Sequence, residues 1–329
     1  MKRRTFIGGI VSAVAGWPTV VHAQQAQRRR IGVLMNMAAD DSQGRSDVST
    51  FETALRKYGW KLGDNLQIDY RWGAGDPNLY RKFSDELVSL APDLLLGIGG
   101  TAVGALQRVT RDVPIVFVET TDPVNRGLVA SLSRPGGNTT GFTQFEFGIS
   151  GKWLELLKQI APDVTHAAVI RDPSQFSGVG ELAAIQAIAP LLHLDVSPID
   201  ARDTGEIERG IEVFARQPNG GLIVTPSGAS IKHRDLIITL ASKHRLPAVY
   251  TFRYFVTGGG LISYGPDQTE PYRLAAGYID RILSRGERPS ELPVQATTKI
   301  ELVINLKTAK ALGLTIPETL LAIADEVIQ

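Results

Sequence analysis

Two acids and an arginine occupy positions from which an α/β chain would present them to a ligand. Asp122 follows the apolar run Ile115-Val-Phe-Val118, and Asp172 follows His166-Ala-Ala-Val-Ile170. Carboxyls just past strand ends could act as an acid–base pair, accept a ligand amine or cap a helix. Tyr250-Thr-Phe-Arg-Tyr-Phe255 brings four aromatics around Arg253. A pocket would use the rings for stacking and the guanidinium for a two-pronged grip on a carboxylate. A core would use the rings alone and leave Arg253 in solvent. Gly97-Ile-Gly-Gly-Thr-Ala102 fits G-x-G-x-x-A between a strand and a helix. It could cradle a pyrophosphate, admit a small ligand carboxylate, or only let helix and strand pack closely. The pattern falls on the third predicted strand, and the first strand–helix loop, Asn36 to Ser46, has no glycine cluster.

Covalent and metal chemistry find little support. There is no cysteine, which excludes disulfides, thiolate nucleophiles and thiolate metal sites. None of the five histidines lies in a motif with a nucleophile, and there is no G-x-S-x-G, H-E-x-x-H or Walker loop. No catalytic residue, metal or cofactor is expected.

The elements that must position these residues alternate. Ile31 to Met37, Asp93 to Ile98 and Ile115 to Val118 are short apolar runs, the pattern of strands buried on both faces. Leu66 to Trp72 alternates like a strand nearer a sheet edge. Helical spacing links them, with Gly59 as a stop after Phe51, Ala54, Leu55 and Tyr58. A short apolar helix is expected inside 122–142. The pattern restarts at Trp153, with strands at His166–Ile170, Leu194–Ile199, Gly221–Thr225 and Ala248–Tyr250, and a helix over Ile231–Ser242. Two halves of this kind predict two doubly wound parallel sheets. Ligands bind beyond the carboxyl ends of such strands. The loops there are 36–42, 97–102, 119–125, 171–176, 225–230 and 250–260.

Met1-Lys-Arg-Arg-Thr-Phe-Ile7 is a twin-arginine start, followed by an apolar run to Val21 and a Val21-His-Ala23 cleavage pattern. The run is shorter than the roughly 18 residues of a membrane span. A leader cleaved near Ala23, and a periplasmic protein, are therefore expected. Losing its three basic residues takes the formal charge from +1 to −2, which gives no electrostatic case for nucleic acid or anionic lipid.

Asp122-Pro-Val, Gly127-Leu-Val, Leu132-Ser-Arg-Pro-Gly-Gly-Asn-Thr-Thr-Gly141, Leu246-Pro-Ala-Val-Tyr250, Gly259 to Gly265 and Lys299 to Pro317 together resemble the ABC-transporter substrate-binding proteins, in the branch with tryptophan- and tyrosine-binding members. Asp172-Pro173 stands where relatives often carry Asn-Pro. The resemblance implies a type I periplasmic-binding-protein fold: two Rossmann-like lobes joined by crossing hinge segments. It also implies a small-molecule ligand, an ABC permease and ATPase as partners, a monomer, and no membrane span in the mature chain.

The expected division is a leader at 1–23, lobe 1 at 28–145, lobe 2 at 146–264, a return to lobe 1 at 265–291, and a C-terminal segment of lobe 2 at 292–329. The ligand residues expected are Asn36, Gly100, Thr101, Thr121, Asp122, Asp172, Ser227, Tyr250, Arg253 and Tyr264. A solute receptor is favoured over an exported nicotinamide enzyme or a sensor serving a signalling partner.

Overall fold

The apolar runs fold as strands buried on both faces, flanked by amphipathic helices. The computed structural model describes residues 28–144 and 147–329; the expected leader, His22 and Phe145 lie outside the described residues. The first lobe contains β1 (Arg29–Met35), α1 (Ser42–Lys57), β2 (Leu66–Trp72), α2 (Pro77–Ser89), β3 (Leu94–Ile98), α3 (Gly100–Val109), β4 (Ile115–Thr120) and β5 (Thr139–Thr143). The second contains α4 (Ile149–Ile160), β6 (His166–Arg171), α5 (Phe176–Ile188), β7 (Asp195–Asp200), α6 (Thr204–Phe214), β8 (Gly220–Val224), α7 (Gly228–Lys232), α8 (Arg234–Lys243), β9 (Ala248–Tyr250), α9 (Arg253–Thr257) and β10 (Ile262–Pro266). The chain returns as α10 (Glu270–Arg285) and β11 (Gln295–Ala296). It ends with β12 (Ile300–Asn305), α11 (Leu306–Leu312), α12 (Glu318–Ile323) and β13 (Glu326–Ile328).

Local chemistry sets several helix starts. The Asp41 carboxylate accepts from the amides of Gln43 and Gly44, and Asp203 from those of Gly205 and Glu206. Asp76 caps α2, with Pro77 at its first position. Each satisfies amides that the helix itself leaves open.

The two sheets share one plan. The first has the order β2-β1-β3-β4-β5-β11, with every pairing parallel. The second runs β7-β6-β8-β9-β10 in the same sense, extended by antiparallel β12 and then β13. The order reverses between β1 and β3, and again between β6 and β8. Loops leaving these pairs diverge to opposite faces and open a crevice at their carboxyl ends. Apolar clusters cover both faces of each sheet. Helix α10, although late in sequence, packs on the first sheet through Tyr272, Ala275, Ala276 and Ile279.

The chain passes from one sheet to the other between β5 and α4, at 267–269 and at 297–299. The second and third are tied together: the Asp267 amide donates to the Lys299 carbonyl at 3.0 Å, and Lys299 Nζ donates to the Asp267 carboxylate at 3.0 Å.

Several expectations are corrected. The segment 292–329 is divided between the lobes. Leu292 and Val294 are buried in first-lobe clusters and β11 pairs with β5, so the chain joins the second sheet only at β12. No helix forms within 122–142. Gly127 adopts φ +70°, and the Leu128 amide folds back to the Pro123 carbonyl at 2.9 Å, so the run is a series of turns. The helix expected over Ile231–Ser242 is two helices meeting at His233. The segment after Tyr250 is not a loop: it forms α9, with Tyr250 stacked on Phe255 at 5.0 Å in the second-lobe core.

Candidate functional site

The two crevices face one another, and the lobes are in contact. Thr101 Oγ1 donates to Gln175 Oε1 across the gap at 2.7 Å. Asp41, capping α1, forms an ion pair with Arg234 at the start of α8, and the Arg234 guanidinium lies over the Tyr254 ring. A Cβ placed on Gly228 would stand 2.7 Å from the Gly75 Cα, so the two backbones touch. Met37 of the first lobe is buried in a cluster of the second. This is a closed arrangement.

Between the lobes lies a polar cavity built from strand-end loops. Asn36 enters after β1, Gly99, Gly100 and Thr101 after β3, and Glu119, Thr121 and Arg126 at and after β4. Gln175 and Ser177 follow β6, Pro226 and Ser227 follow β8, and Phe252 follows β9. Tyr80 of α2 and Gln144 of the first crossing complete the polar wall, with Ile98 and Ile231 as apolar lining.

Glu119 is the anionic group of this cavity. It stands next to last in β4, after the apolar run Ile115–Val118, with φ +54°, the left-handed region, and is buried. Its carboxyl accepts from Asn36 Nδ2 and from the Tyr272 hydroxyl, each at 3.0 Å. Burial pushes its pKa up to about 7, against the lowering effect of those two hydrogen bonds. Arg126 is the cationic group. Burial lowers its pKa while the Asp122 carboxylate opposes this, and its Nε has no hydrogen-bond partner among the described residues. The guanidinium lies against the start of α3: a Cβ on Gly100 would sit 2.6 Å from Arg126 Nε.

That contact accounts for the glycine pattern. Gly97 lets β3 and α3 pack, since a Cβ there would meet Val103 at 2.9 Å. Gly99 supplies φ +80°, and Gly100 leaves room for Arg126. The N-terminus of α3 and a half-buried guanidinium together favour a carboxylate.

Of the ten residues expected, Asn36, Gly100, Thr101, Thr121 and Ser227 line the cavity. The other five do not. Asp122 is turned back by its own φ of +47° and accepts from the Asn125 amide and side chain at 3.2 and 2.8 Å. Asp172 accepts from the Ser174 amide and hydroxyl at 2.9 and 2.6 Å, forming the turn into α5. Tyr250 is core. Arg253 is half exposed and paired with Glu326 of β13, outside the cavity lining. The Tyr264 ring packs on the second-lobe cluster that contains Trp153, and its carbonyl accepts from the Trp153 indole at 2.6 Å. Glu119, Arg126, Tyr80, Gln144 and Gln175 also line the cavity and are not among the ten, although Glu119 and Gln175 fall in the expected loops 119–125 and 171–176. Glu119 carried a usable signal, a charged residue directly after an apolar run. Arg126 was concealed because turns, not a helix, bring it back.

Two doubly wound lobes, three crossings and a closed polar cleft between facing strand ends define a type I periplasmic binding fold. The solved structures agree. A conserved domain protein from Vibrio cholerae superposes with a TM-score of 0.85 at 26% identity, over 92% of this chain and 100% of that one. A Streptococcus pneumoniae ABC domain in complex with L-Trp gives 0.79 at 25% identity, over 91% and 100%. A curated relative, the tyrosine-binding protein of Clostridioides difficile, is 27% identical over 264 residues, covering 80% of this chain and 75% of its own. The family model for ABC transporter substrate binding proteins matches residues 31–328. The chain belongs to this family.

Proposed function

We propose that this protein captures a free α-amino acid between its lobes and delivers it to an ABC permease and ATPase, working as an exported periplasmic monomer. The observation that carries the ligand class is the pairing of opposite charges in one closed cavity: Arg126 with the α3 N-terminus for a carboxylate, Glu119 for an ammonium. Tyr80, Ile98, Ile231 and Phe252 offer an aromatic or apolar side chain its contacts. The tyrosine and tryptophan named for two relatives support an aromatic ligand. Capture follows from lobe closure, since a ligand that touches both walls favours the closed form by its differential affinity.

A calorimetric screen of the twenty L-amino acids should find one or a few micromolar binders, worth about 8 kcal/mol. In Arg126→Met the same ligand should bind about thirtyfold more weakly or worse, the cost of leaving a buried charge unpaired. Unchanged affinity in that variant would remove the guanidinium from the site.

A further inference from the structure

The cavity that holds Arg126 and Glu119 does not end at Asn36. Its volume is about 60 Å³, room for about five non-hydrogen atoms if each needs the roughly 10–15 Å³ of a water. The ammonium nitrogen, Cα and carboxylate of an amino acid fill that space, so its side chain must lie elsewhere. A second chamber of about 330 Å³ adjoins the first and shares Asn36, Gly228 and Ile231 with it. These three residues form the neck between the two spaces.

Sheet order sets the direction in which the neck points. Along the first sheet, β4 and β3 lead to Glu119, Arg126 and Gly100, β1 leads to Asn36, and β2 leads to Ala74 of the second chamber. Asn36 therefore stands between the charged anchors and the chamber. Glu119 is bonded to Asn36 at 3.0 Å, so an ammonium beside Glu119 sits at the neck and a carboxylate beside Arg126 lies farther back. The side chain of such a ligand is directed through the neck. On the opposite wall Ile231 is buried on α7, and a Cβ on Gly228 would stand 3.7 Å from the Tyr80 hydroxyl oxygen.

The chamber changes character beyond that point. Met37, Ala38 and Ala74 are apolar, whereas Asp40, Ser42, Lys232 and Asp235 are exposed. Asp41 and Arg234 neutralise one another across the lobes. Three carboxyls, of Asp40, Asp41 and Asp235, thus face two cations, Lys232 and Arg234. That balance favours a hydrogen-bond donor over a second carboxylate. A stem passing Ile231 and Tyr80 loses apolar area to water, while a polar tip in the exposed chamber keeps its hydrogen bonds.

We infer that the second chamber is the side-chain subsite of the receptor, and that it selects an amino acid with an apolar stem and a hydrogen-bond-donating tip, as tyrosine has. The inference rests on the amino-acid reading above.

The test is a set of calorimetric titrations with L-alanine, L-phenylalanine and L-tyrosine, together with the crystal structure of the tyrosine complex. In the wild type, tyrosine should bind about three- to tenfold more tightly than phenylalanine, the net worth of one hydrogen bond. In Ala38→Leu and in Ser42→Leu, each of which fills the chamber from its first-lobe wall, the preference for tyrosine over alanine should fall at least about tenfold. In the crystal, the phenol should lie beyond Asn36 and Ile231. Phenylalanine binding as tightly as tyrosine would overturn the donor tip. A tyrosine preference retained in both variants, or a ring that stays on the Arg126 side of Asn36, would overturn the subsite while leaving amino-acid binding standing. Binding of other amino acids but not of tyrosine would do the same. Absence of heat with every amino acid would overturn the amino-acid reading and this inference with it.

Discussion

Two arginines divide the ligand question between them. Arg126 is held at the start of α3 with an unpaired Nε among the described residues. Arg253, which sits in the more conspicuous aromatic setting, is spent on Glu326. Exposed pairs of this kind contribute about 0–1 kcal/mol. Arg253→Ala should therefore melt close to the wild type and bind the ligand with unchanged affinity, as thermal scans and titration calorimetry would record. A loss of binding would return Arg253 to the site. The residues legible in advance were those at strand ends, Asn36, Thr101, Thr121 and Ser227, because the alternating pattern fixes where strands stop. Asp122 and Asp172 were placed correctly along the chain but not in direction, since each carboxylate bonds to its own turn. Side-chain direction in a turn depends on single φ values that residue type does not specify. Glu119 shows the same effect in reverse, since its left-handed backbone is what places a strand-end acid in the cavity wall. Such backbone strain costs on the order of 1 kcal/mol and concentrates at functional positions.

At the scale of elements, the duplicated strand order matters more than any one loop. Because both lobes reverse beside their first strand, the loops after β1, β3, β6 and β8 converge on one space. The apolar runs and their spacing made most of these elements visible. The brief elements were not: α9 read as a loop, and α12 and β13 were not anticipated. Segments of three to six residues carry too few periods to separate helix from strand. Closure depends on the bare backbones of Gly75 and Gly228, where an added methyl has no room. Gly228→Ala lies at the first position of α7, where alanine is a good helix former. The variant should fold and melt like the wild type without ligand, yet bind about tenfold more weakly, and small-angle scattering should show no ligand-induced contraction. Normal contraction in the variant would mean that the two backbones do not limit closure.

At the scale of the whole molecule, a clamp of two lobes encloses a pair of opposite charges. In the function proposed above, the three crossings are the hinge on which the lobes separate. The Asp41–Arg234 ion pair and the Thr101–Gln175 hydrogen bond both join the lobes in the closed form. Under the same proposal, Arg126 and Glu119 within the cavity select a molecule that carries both charges. The division of the C-terminal segment follows from this plan: the chain must deposit β11 on the first sheet before β12 can extend the second, so the third crossing falls after Ala296. The most direct measurement is a calorimetric comparison on the wild-type protein. L-tyrosine or L-tryptophan, whichever binds more tightly, is titrated alongside the matching amine that lacks the carboxylate and the matching arylpropionate that lacks the amine. The account predicts micromolar binding of the amino acid and at least about thirtyfold weaker binding of each truncated form. Truncated forms that bind as tightly as the amino acid would contradict it.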